Sequence, residues 1–322
     1  MNKTAILLIS LFFFSCMPKS DNSAPTETKQ SNVYQGPIID MHIHANSEES
    51  GKFFFGLEHP ETLRGERYKG VNSAKEQMDE TLKRFEIHNI VKAMVTNGDL
   101  WINDAPDKII IGKSNLPADT LRALFQKGRM QVMAEMSPFY GGIKADDPSL
   151  DPYFDLAEEL QIPVGFHIFP GGPPGGIYDL GLKGMRVANA SPLQIEEVLV
   201  KRPDLKIYIM HGGWPYLDDM KALMYAHPQI YLDIAVIDWI LTKEEFYNYL
   251  RELVDAGFGK RIMFGTDQMT WPQTIDIAVN TLNGADFLSW KQREDIFYNN
   301  AAHFLGLSEE EIAKHKSMKQ NL

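Results

Sequence analysis

Two histidines, His42 and His44, are spaced so that they could bind one metal ion together. They lie in the run Ile-Ile-Asp-Met-His-Ile-His at 38–44, whose length and β-branched residues are typical of a buried strand. Side chains alternate along a strand, so both imidazoles project to the same face. Two neutral imidazoles held in this way provide half of a metal site.

Four more ligand-type residues stand at the ends of apolar runs further along the chain. They are Glu135, His167, His211 and Asp267. Imidazole nitrogens and carboxylate oxygens suit Zn²⁺, with Mn²⁺ as the alternative, and such sites bind one or two ions. A metal with an open coordination position lowers the pKa of its bound water to about 7, so hydroxide becomes available at neutral pH.

Short apolar runs alternate with amphipathic stretches from Gly36 onward, which is typical of βα units with a parallel sheet. The predicted strands are 38–44, 91–96, 108–112, 130–136, 162–168, 205–211, 230–235 and 261–266. The predicted helices are 73–88, 117–127, 151–160, 191–202, 216–226, 243–256, 272–283 and 290–305.

An α/β protein with eight such units predicts a (β/α)8 TIM barrel, although an open doubly wound sheet would give a similar string of elements. The ligand-type residues favour the barrel. They end the first, fourth, fifth, sixth and eighth predicted strands, and in a closed barrel these carboxyl ends meet around one mouth.

Five motifs, spread in order from about residue 38 to 307, resemble the amidohydrolase superfamily, specifically its amidohydrolase-2 branch. They are Asp-Met-His-Ile-His at 40–44, Gly-Phe-His-Ile at 165–168, Met-His-Gly-Gly-Trp-Pro at 210–215, Phe-Gly-Thr-Asp at 264–267 and Asn-Ala-Ala-His-Phe-Leu-Gly-Leu at 300–307. The branch contains metal-dependent hydrolases as well as aminocarboxymuconate-semialdehyde decarboxylase and the resorcylate decarboxylases.

The resemblance implies that His42, His44, His167 and Asp267 are metal ligands. It makes His211 either the residue that polarises or deprotonates water or a ligand of a second metal. Asp267 could also accept the proton of that water.

Glu135 leaves two arrangements open. It could bridge two ions, with His42, His44 and Asp267 on one and His167 and His211 on the other. Alternatively it is a carboxylate near a single ion.

Each of these residues has a structural alternative. His167 could be a core histidine, His211 a turn residue before two glycines, and Asp267 a helix cap. The joint pattern favours the metal site. The remaining histidines, which are His59, His88, His227, His303 and His315, are assigned to turns, helices and the polar tail.

Substrate contacts are predicted in the loops that follow the strands. The glycine- and proline-rich segment 169–177 could form a lid, and aromatic residues could wall a pocket. The candidates for that wall are Trp101, Trp214, Trp239 and Trp271, of which we expect one or two to take part. Arg186 or Lys144 could meet a substrate carboxylate.

The first sixteen residues resemble a bacterial lipoprotein signal, with Lys3, an apolar stretch from Ala5 to Phe14, and Cys16 as the lipidated residue. An ordinary secretory signal is the alternative. Residues 17–35 are polar and are expected to form a flexible linker before a barrel at 36–322. We therefore expect an exported lipoprotein, on the periplasmic or cell-surface side, that contacts the membrane through Cys16 only.

The leading prediction is a hydrolase that attacks an amide, lactone or ester of a small molecule with metal-activated water. A nonoxidative decarboxylase, which is a lyase, and an exported binding protein without catalysis are the alternatives. The net charge of −11 argues against a nucleic-acid partner. The resemblance makes a homodimer the expected assembly.

Overall fold

The computed structural model describes residues 33–179 and 181–318. Within these residues the chain forms eight parallel strands with helices between them. The strands are β1 Ile38–His44, β2 Ile90–Thr96, β3 Ile109–Gly112, β4 Met133–Met136, β5 Val164–His167, β6 Ile207–Met210, β7 Tyr231–Asp233 and β8 Ile262–Met263. They pair in the order β1-β2-β3 and β4-β5-β6-β7-β8.

Main-chain hydrogen bonds join these two sets of strands into a closed barrel. At one seam Gly112 pairs with Val132 in a parallel bridge. At the other, the Met41 amide donates to the Phe264 carbonyl at 2.9 Å, and the Asp267 amide donates to the His42 carbonyl at 2.7 Å. The predicted (β/α)8 barrel is confirmed.

Helices at the predicted positions differ locally in length, and four further helices, at 48–51, 176–179, 237–240 and 309–317, were not among those predicted. The helices are α1 Glu48–Gly51, α2 Ala74–Ile87, α3 Ala118–Gln126, α4 Asp151–Leu160, α5 Gly176–Asp179, α6 Glu196–Lys201, α7 Leu217–Ala226, α8 Ile237–Ile240, α9 Lys243–Leu253, α10 Thr274–Asn283, α11 Trp290–Glu294, α12 Asn300–Leu305 and α13 Glu309–Ser317. Wider π-helical turns, Val254–Phe258 and Asp295–Asn299, follow α9 and α11.

Local sequence explains where the long helices begin. The Ser73 side chain accepts a hydrogen bond from the Glu76 amide at the start of α2, and the Thr242 side chain accepts one from the Glu245 amide at the start of α9. Such caps satisfy amide groups that the first helical turn leaves unpaired. The strands are buried on both faces, as in Ile207–Met210, and therefore read as unbroken apolar runs.

The packed body extends to the first residues that the structure describes. The Tyr34 ring stacks on Phe297 at 5.2 Å between centroids, and its amide donates to Asn283 at 2.8 Å. The predicted signal at 1–16 and most of the predicted linker lie outside the described residues. Among the residues that are described, no helix is long and apolar enough to cross a membrane.

Candidate active site

The barrel brings the six predicted ligand-type residues together at one mouth. His42 and His44 lie on β1, Glu135 on β4 and His167 at the end of β5. His211 follows β6 and Asp267 follows β8. All except His42 line one cavity, and His42 is fully buried beside them.

One group of candidate ligand atoms surrounds the β1 histidines. His44 Nε2 lies 3.3 Å from His42 Nε2, 3.0 Å from Asp267 Oδ1 and 3.4 Å from Glu135 Oε2. His42 Nε2 lies 3.7 Å from each of the same two carboxylate oxygens. These four side chains therefore converge on one small volume.

A second group lies at the ends of β5 and β6. His167 Nδ1 is 2.5 Å from Glu135 Oε1 and 3.0 Å from His211 Nε2. His211 Nε2 is 3.4 Å from the same Glu135 oxygen. His167 is thus grouped with Glu135 and His211 and, in the described part of the chain, with neither β1 histidine.

Glu135 consequently has one oxygen in each group. Oε2 faces the β1 histidines, and Oε1 faces His167 and His211. This is the geometry expected of the bridging arrangement. It differs from the four-ligand set that the family resemblance implies, in which His167 binds the same ion as His42, His44 and Asp267.

Asp233, which the sequence analysis gave no role, positions both groups from the end of β7. Its Oδ2 lies 3.3 Å from His42 Nδ1, and its Oδ1 accepts hydrogen bonds from the His211 and Ala235 amides at 2.8 and 3.0 Å. With Nδ1 facing Asp233, Nε2 is the His42 nitrogen directed at the cluster. A carboxylate behind an imidazole in this way is typical of metal sites.

Asp40, also without a role in the sequence analysis, fixes the seam between β1 and the segment after β8. Its oxygens accept from the His42 amide at 3.0 Å, the Thr266 amide at 3.1 Å and the Thr266 hydroxyl at 2.7 Å. Burial raises the Asp40 pKa to about 7, and the hydrogen bonds from Thr266 and His42 oppose that rise. Both missed carboxylates are in predicted strands, and Asp40 lies on the same face as the β1 histidines.

Two of the candidate ligands sit on left-handed backbone. The φ angles of His211 and Asp267 are 63° and 49°. Residues other than glycine have a higher conformational energy in this region, so surrounding contacts must hold them there. The Asp233 carboxylate holds the His211 amide, and the His42 carbonyl holds the Asp267 amide.

The electrostatics follow from packing carboxylates against imidazoles. For Asp267 burial raises the pKa, but His42 and His44 outweigh it and bring the pKa down to about 2. For His44 burial lowers the pKa, but Asp267 and Glu135 raise it to about 9. Burial, the largest effect on His167, lowers its pKa.

The donor set fits a divalent metal. Asp267 Oδ1 is buried and lies 3.0 Å from His44 Nε2 without an aligned hydrogen bond among the described residues. Buried polar atoms are rarely left unsatisfied, so such atoms indicate a missing ligand. The set of four imidazoles and two carboxylates suits Zn²⁺ or Mn²⁺.

The cavity above the cluster has a volume of about 500 Å³ and largely apolar walls. The segment between β1 and α2 supplies Phe53, Phe54 and His59. The segments after β7 and β8 supply Val236, Trp239, Ile240, Met269 and Trp271. The segment after β5 supplies Phe169, Gly171, Gly172, Pro173 and Leu182, and Tyr140 follows β4.

Two of the four tryptophans proposed for the wall, Trp239 and Trp271, line the cavity. Trp101 is buried in the main apolar cluster instead. Trp214 packs against Phe169 at 5.9 Å between ring centroids outside the lining.

Neither cation proposed for a substrate carboxylate lines the cavity. Lys144 is exposed, and the Arg186 guanidinium donates to the carbonyls of Lys183 and Met185 at 2.9 and 2.6 Å. The prediction that either contacts substrate finds no support in this placement.

Two lining residues were missed from the sequence. His59 was assigned to a turn before proline, yet it lies in the wall with its ring 4.7 Å from Trp271 and 5.2 Å from Trp239. Tyr140 lies with its ring 4.8 Å from that of His167. Within the described chain its hydroxyl makes no hydrogen bond, so this donor remains available in a residue that lines the cavity.

Solved structures of low sequence identity share this fold. A TIM-barrel protein of Bordetella bronchiseptica matches with a TM-score of 0.59 and 17% identity, covering 84% of this chain and 98% of the other. A probable 2-pyrone-4,6-dicarboxylic acid hydrolase of Acinetobacter baumannii gives 0.57 and 14%, covering 84% and 99%. The 5-carboxyvanillate decarboxylase of Novosphingobium aromaticivorans, complexed with manganese, gives 0.56 and 13%, covering 84% and 96%.

Sequence comparison gives a short curated match and a long family match. Protein fluG of Emericella nidulans is 21% identical over 99 residues, which span 31% of this chain and only 11% of that protein. The Amidohydrolase family model, Amidohydro_2, matches residues 39–307, which include all six candidate ligands. The chain therefore belongs to the Amidohydro_2 family of amidohydrolases.

Proposed function

We propose that this protein is a metal-dependent hydrolase that cleaves an amide, lactone or ester bond of a small molecule. The observation that carries the proposal is the pair of ligand groups sharing Glu135 at the floor of an apolar cavity. Family membership supports an enzyme of the hydrolase and decarboxylase type.

The six candidate ligands can be divided between two ions. His42, His44 and Asp267 would hold one, His167 and His211 the other, and Glu135 would bridge them. When bound, Zn²⁺ or Mn²⁺ polarises a substrate carbonyl and makes water acidic enough to attack near neutral pH.

The orientation of two imidazole rings supports ligand roles. His211 Nδ1 lies 3.2 Å from the Ala235 carbonyl, to which it donates, so Nε2 is the ring nitrogen that faces Glu135 and His167. His42 Nδ1 donates to Asp233 in the same way. Because the Nε2 atoms of both rings face the cluster, we assign His211 to metal binding and leave proton transfer to another group.

Asp267 is the group best placed to move a proton. Its Oδ1 is buried at the cluster, 3.0 Å from His44 Nε2. It can take the proton of the attacking water and return it to the leaving group. Tyr140, which lines the cavity beside His167, would donate a hydrogen bond to the oxygen on which negative charge develops.

A metal and activity measurement on one set of variants tests the proposal. Elemental mass spectrometry should find two equivalents of metal in the wild type and fewer in a His42→Ala/His44→Ala variant. Asp267→Asn should retain most of the metal but lose hydrolysis of a panel of aryl esters, lactones and anilides. Full turnover in Asp267→Asn would overturn the assigned role.

A decarboxylase is the second candidate, because 5-carboxyvanillate decarboxylase shares the fold. Release of CO2 from aromatic acids by the metal-loaded protein would establish it. The absence of a lysine or arginine among the described lining residues favours hydrolysis of a neutral bond. Metal binding without turnover in either assay would instead support a binding protein.

We also propose that the protein is an exported lipoprotein anchored through Cys16, as the sequence pattern of residues 1–16 suggests. Metabolic labelling with a fatty acid should mark the wild type and leave Cys16→Ala unlabelled. Equal labelling of both proteins would reject lipidation at this residue.

A further inference from the structure

The cavity wall offers a substrate few polar side chains. Outside the ligand cluster, the described lining residues include two polar side chains that remain available, His59 and Tyr140. The two wall tryptophans have already used their indole N–H groups, since Trp239 donates to the Thr266 carbonyl at 2.7 Å and Trp271 to the Leu57 carbonyl at 3.1 Å. The remaining lining is aromatic, aliphatic, glycine or proline.

Neither available polar side chain carries a positive charge that could pair with an anion. His59 Nδ1 lies 2.6 Å from the Pro60 carbonyl and donates to it, which leaves Nε2 as an acceptor. Burial lowers the pKa of His59, so the ring is uncharged at neutral pH. The Tyr140 hydroxyl is a neutral donor, and burial raises its pKa.

Two cations of the neighbouring segment, Arg64 and Lys52, have partners outside the lining, and Lys52 lies beside the lining residue Phe53. Arg64 donates to the carbonyls of Leu241 and Asp238 and, at 3.0 Å, to the Thr281 hydroxyl. Lys52 pairs with Glu49, and its ammonium lies 5.2 Å from the Phe53 ring centroid. Neither side chain is part of the described lining.

The wall is also held in place by the main chain. The segment between β1 and α2 doubles back on itself, with the His59 amide donating to the Tyr68 carbonyl at 2.7 Å. Its Leu63 amide donates to the Ile240 carbonyl at 3.0 Å, and its Val71 amide to the Thr270 carbonyl at 3.0 Å. These bonds fix the segment between β1 and α2, whose lining residues include no cation.

We infer that the substrate portion lying against this wall is uncharged and aromatic or otherwise apolar. A substrate that carries an anionic group in that portion is rejected. This inference rests on the proposed function for the identity of the cleaved bond. An anion placed against the wall loses its hydration and gains no partner, which is costly. Aromatic rings, in contrast, gain contact with Phe54, Phe169 and the two wall tryptophans.

Two aryl acetates that differ in the charge of the para substituent test the inference, with release of acetate as the readout and uncatalysed hydrolysis of each compound as the reference. One is 4-carboxyphenyl acetate and the other is its methyl ester, 4-(methoxycarbonyl)phenyl acetate. We expect kcat/KM of the metal-loaded protein to be about 100-fold higher for the uncharged ester, in line with the cost of an unpaired buried ion. Equal or faster hydrolysis of the charged ester would overturn the inference.

A variant of an exposed lining residue separates the effect of the wall on selectivity from the effect of the charged ligand cluster at the cavity floor. Phe53→Arg places a cation in the lining at a side chain that is 72% exposed, so the barrel should tolerate it. The preference for the uncharged ester should fall by about 10-fold. Leu57→Arg, at a 52% exposed side chain outside the lining, is the matched control and should leave the preference unchanged. An unchanged preference in Phe53→Arg would count against the wall as the source of selectivity.

Binding to the metal-free protein separates this inference from the proposed function. The corresponding ethers, methyl 4-methoxybenzoate and 4-methoxybenzoate, lack the acetyl ester and can be followed by quenching of tryptophan fluorescence. Tighter binding of the uncharged ether, reduced in Phe53→Arg, would support the wall even if no ester is hydrolysed. Tighter binding of the anion in the wild type would overturn the inference whatever the catalytic result.

Discussion

The floor and the wall of the cavity are built in opposite ways. On the floor, side chains at strand ends carry the chemistry, and buried carboxylates such as Asp233 and Asp40 hold them in place. In the wall, the main chain holds loops whose side chains make few polar contacts. The difference teaches that the type of reaction depends on the barrel strands, whereas substrate choice depends on segments that the barrel does not determine.

Removing the shared carboxylate should disturb the floor most. In Glu135→Gln, each ligand group loses part of its negative charge, so bound metal should fall below two equivalents. Activity should fall on the order of 10³-fold because several kcal/mol of charge stabilisation is lost. Elemental analysis and kcat/KM measure both effects, with exposed Glu158→Gln as the control. Two tightly bound ions in the variant would contradict the bridging role.

Tyr140→Phe tests whether a wall residue contributes to the reaction. Loss of one hydrogen-bond donor to the developing oxyanion should lower kcat by about 10²-fold and change KM little. The exposed Tyr225→Phe is the matched control. A change confined to KM would assign Tyr140 to substrate binding alone.

Asp233→Asn tests positioning rather than contact with the metal. The amide cannot orient His42 as the carboxylate does, so metal affinity should fall by about 10- to 100-fold. Competition with a chelator measures that affinity, and the folded content by circular dichroism controls for loss of structure. Unchanged affinity would mean that Asp233 serves only the fold through the His211 and Ala235 amides.

Asp238, buried in α8 beside the wall, should give the smallest effect and one that depends on pH. Its carboxylate oxygens have no partner among the described residues, and burial raises its pKa well above the ordinary value. The folded state therefore retains a proton that the unfolded chain releases, so stability falls as pH rises above the unfolded pKa of about 4.

Asp238→Asn should remove that loss. The variant should gain stability over the wild type as pH rises, by about 1 kcal/mol or more near pH 8 and less near pH 5. Urea unfolding at several pH values measures it, with the exposed Asp204→Asn as control. A constant difference across pH would show that Asp238 does not titrate in this way.

The sequence predicted the barrel and the floor because both depend on strand ends. Eight apolar runs were sufficient to place the strands, and ligand-type residues at their carboxyl ends were sufficient to bring them to one mouth. How the ligands divide into two groups depended on side-chain directions of Glu135 and His167, which strand spacing does not specify. The bridging arrangement therefore remained one of two.

The wall could not be predicted in the same way because loop conformation depends on tertiary contacts. His59 precedes a proline, which indicates a turn, but the main-chain bonds that bring it against Trp239 and Trp271 join distant parts of the chain. Trp214 follows a strand just as Trp239 does, yet it lies outside the lining. Tryptophans at similar positions after a strand therefore differ in whether they line the cavity.

The seam between the first and last strands has a consequence for how the protein is made. Asp40 and His42 are bonded to Thr266 and Asp267, and the His44 amide donates to Gln268, 224 residues further along the chain. During synthesis, the earliest candidate ligands, His42 and His44, must wait for nearly the whole domain before their partner Asp267 exists. The candidate site therefore cannot form in an incomplete chain, because its first and last residues meet only when the barrel closes.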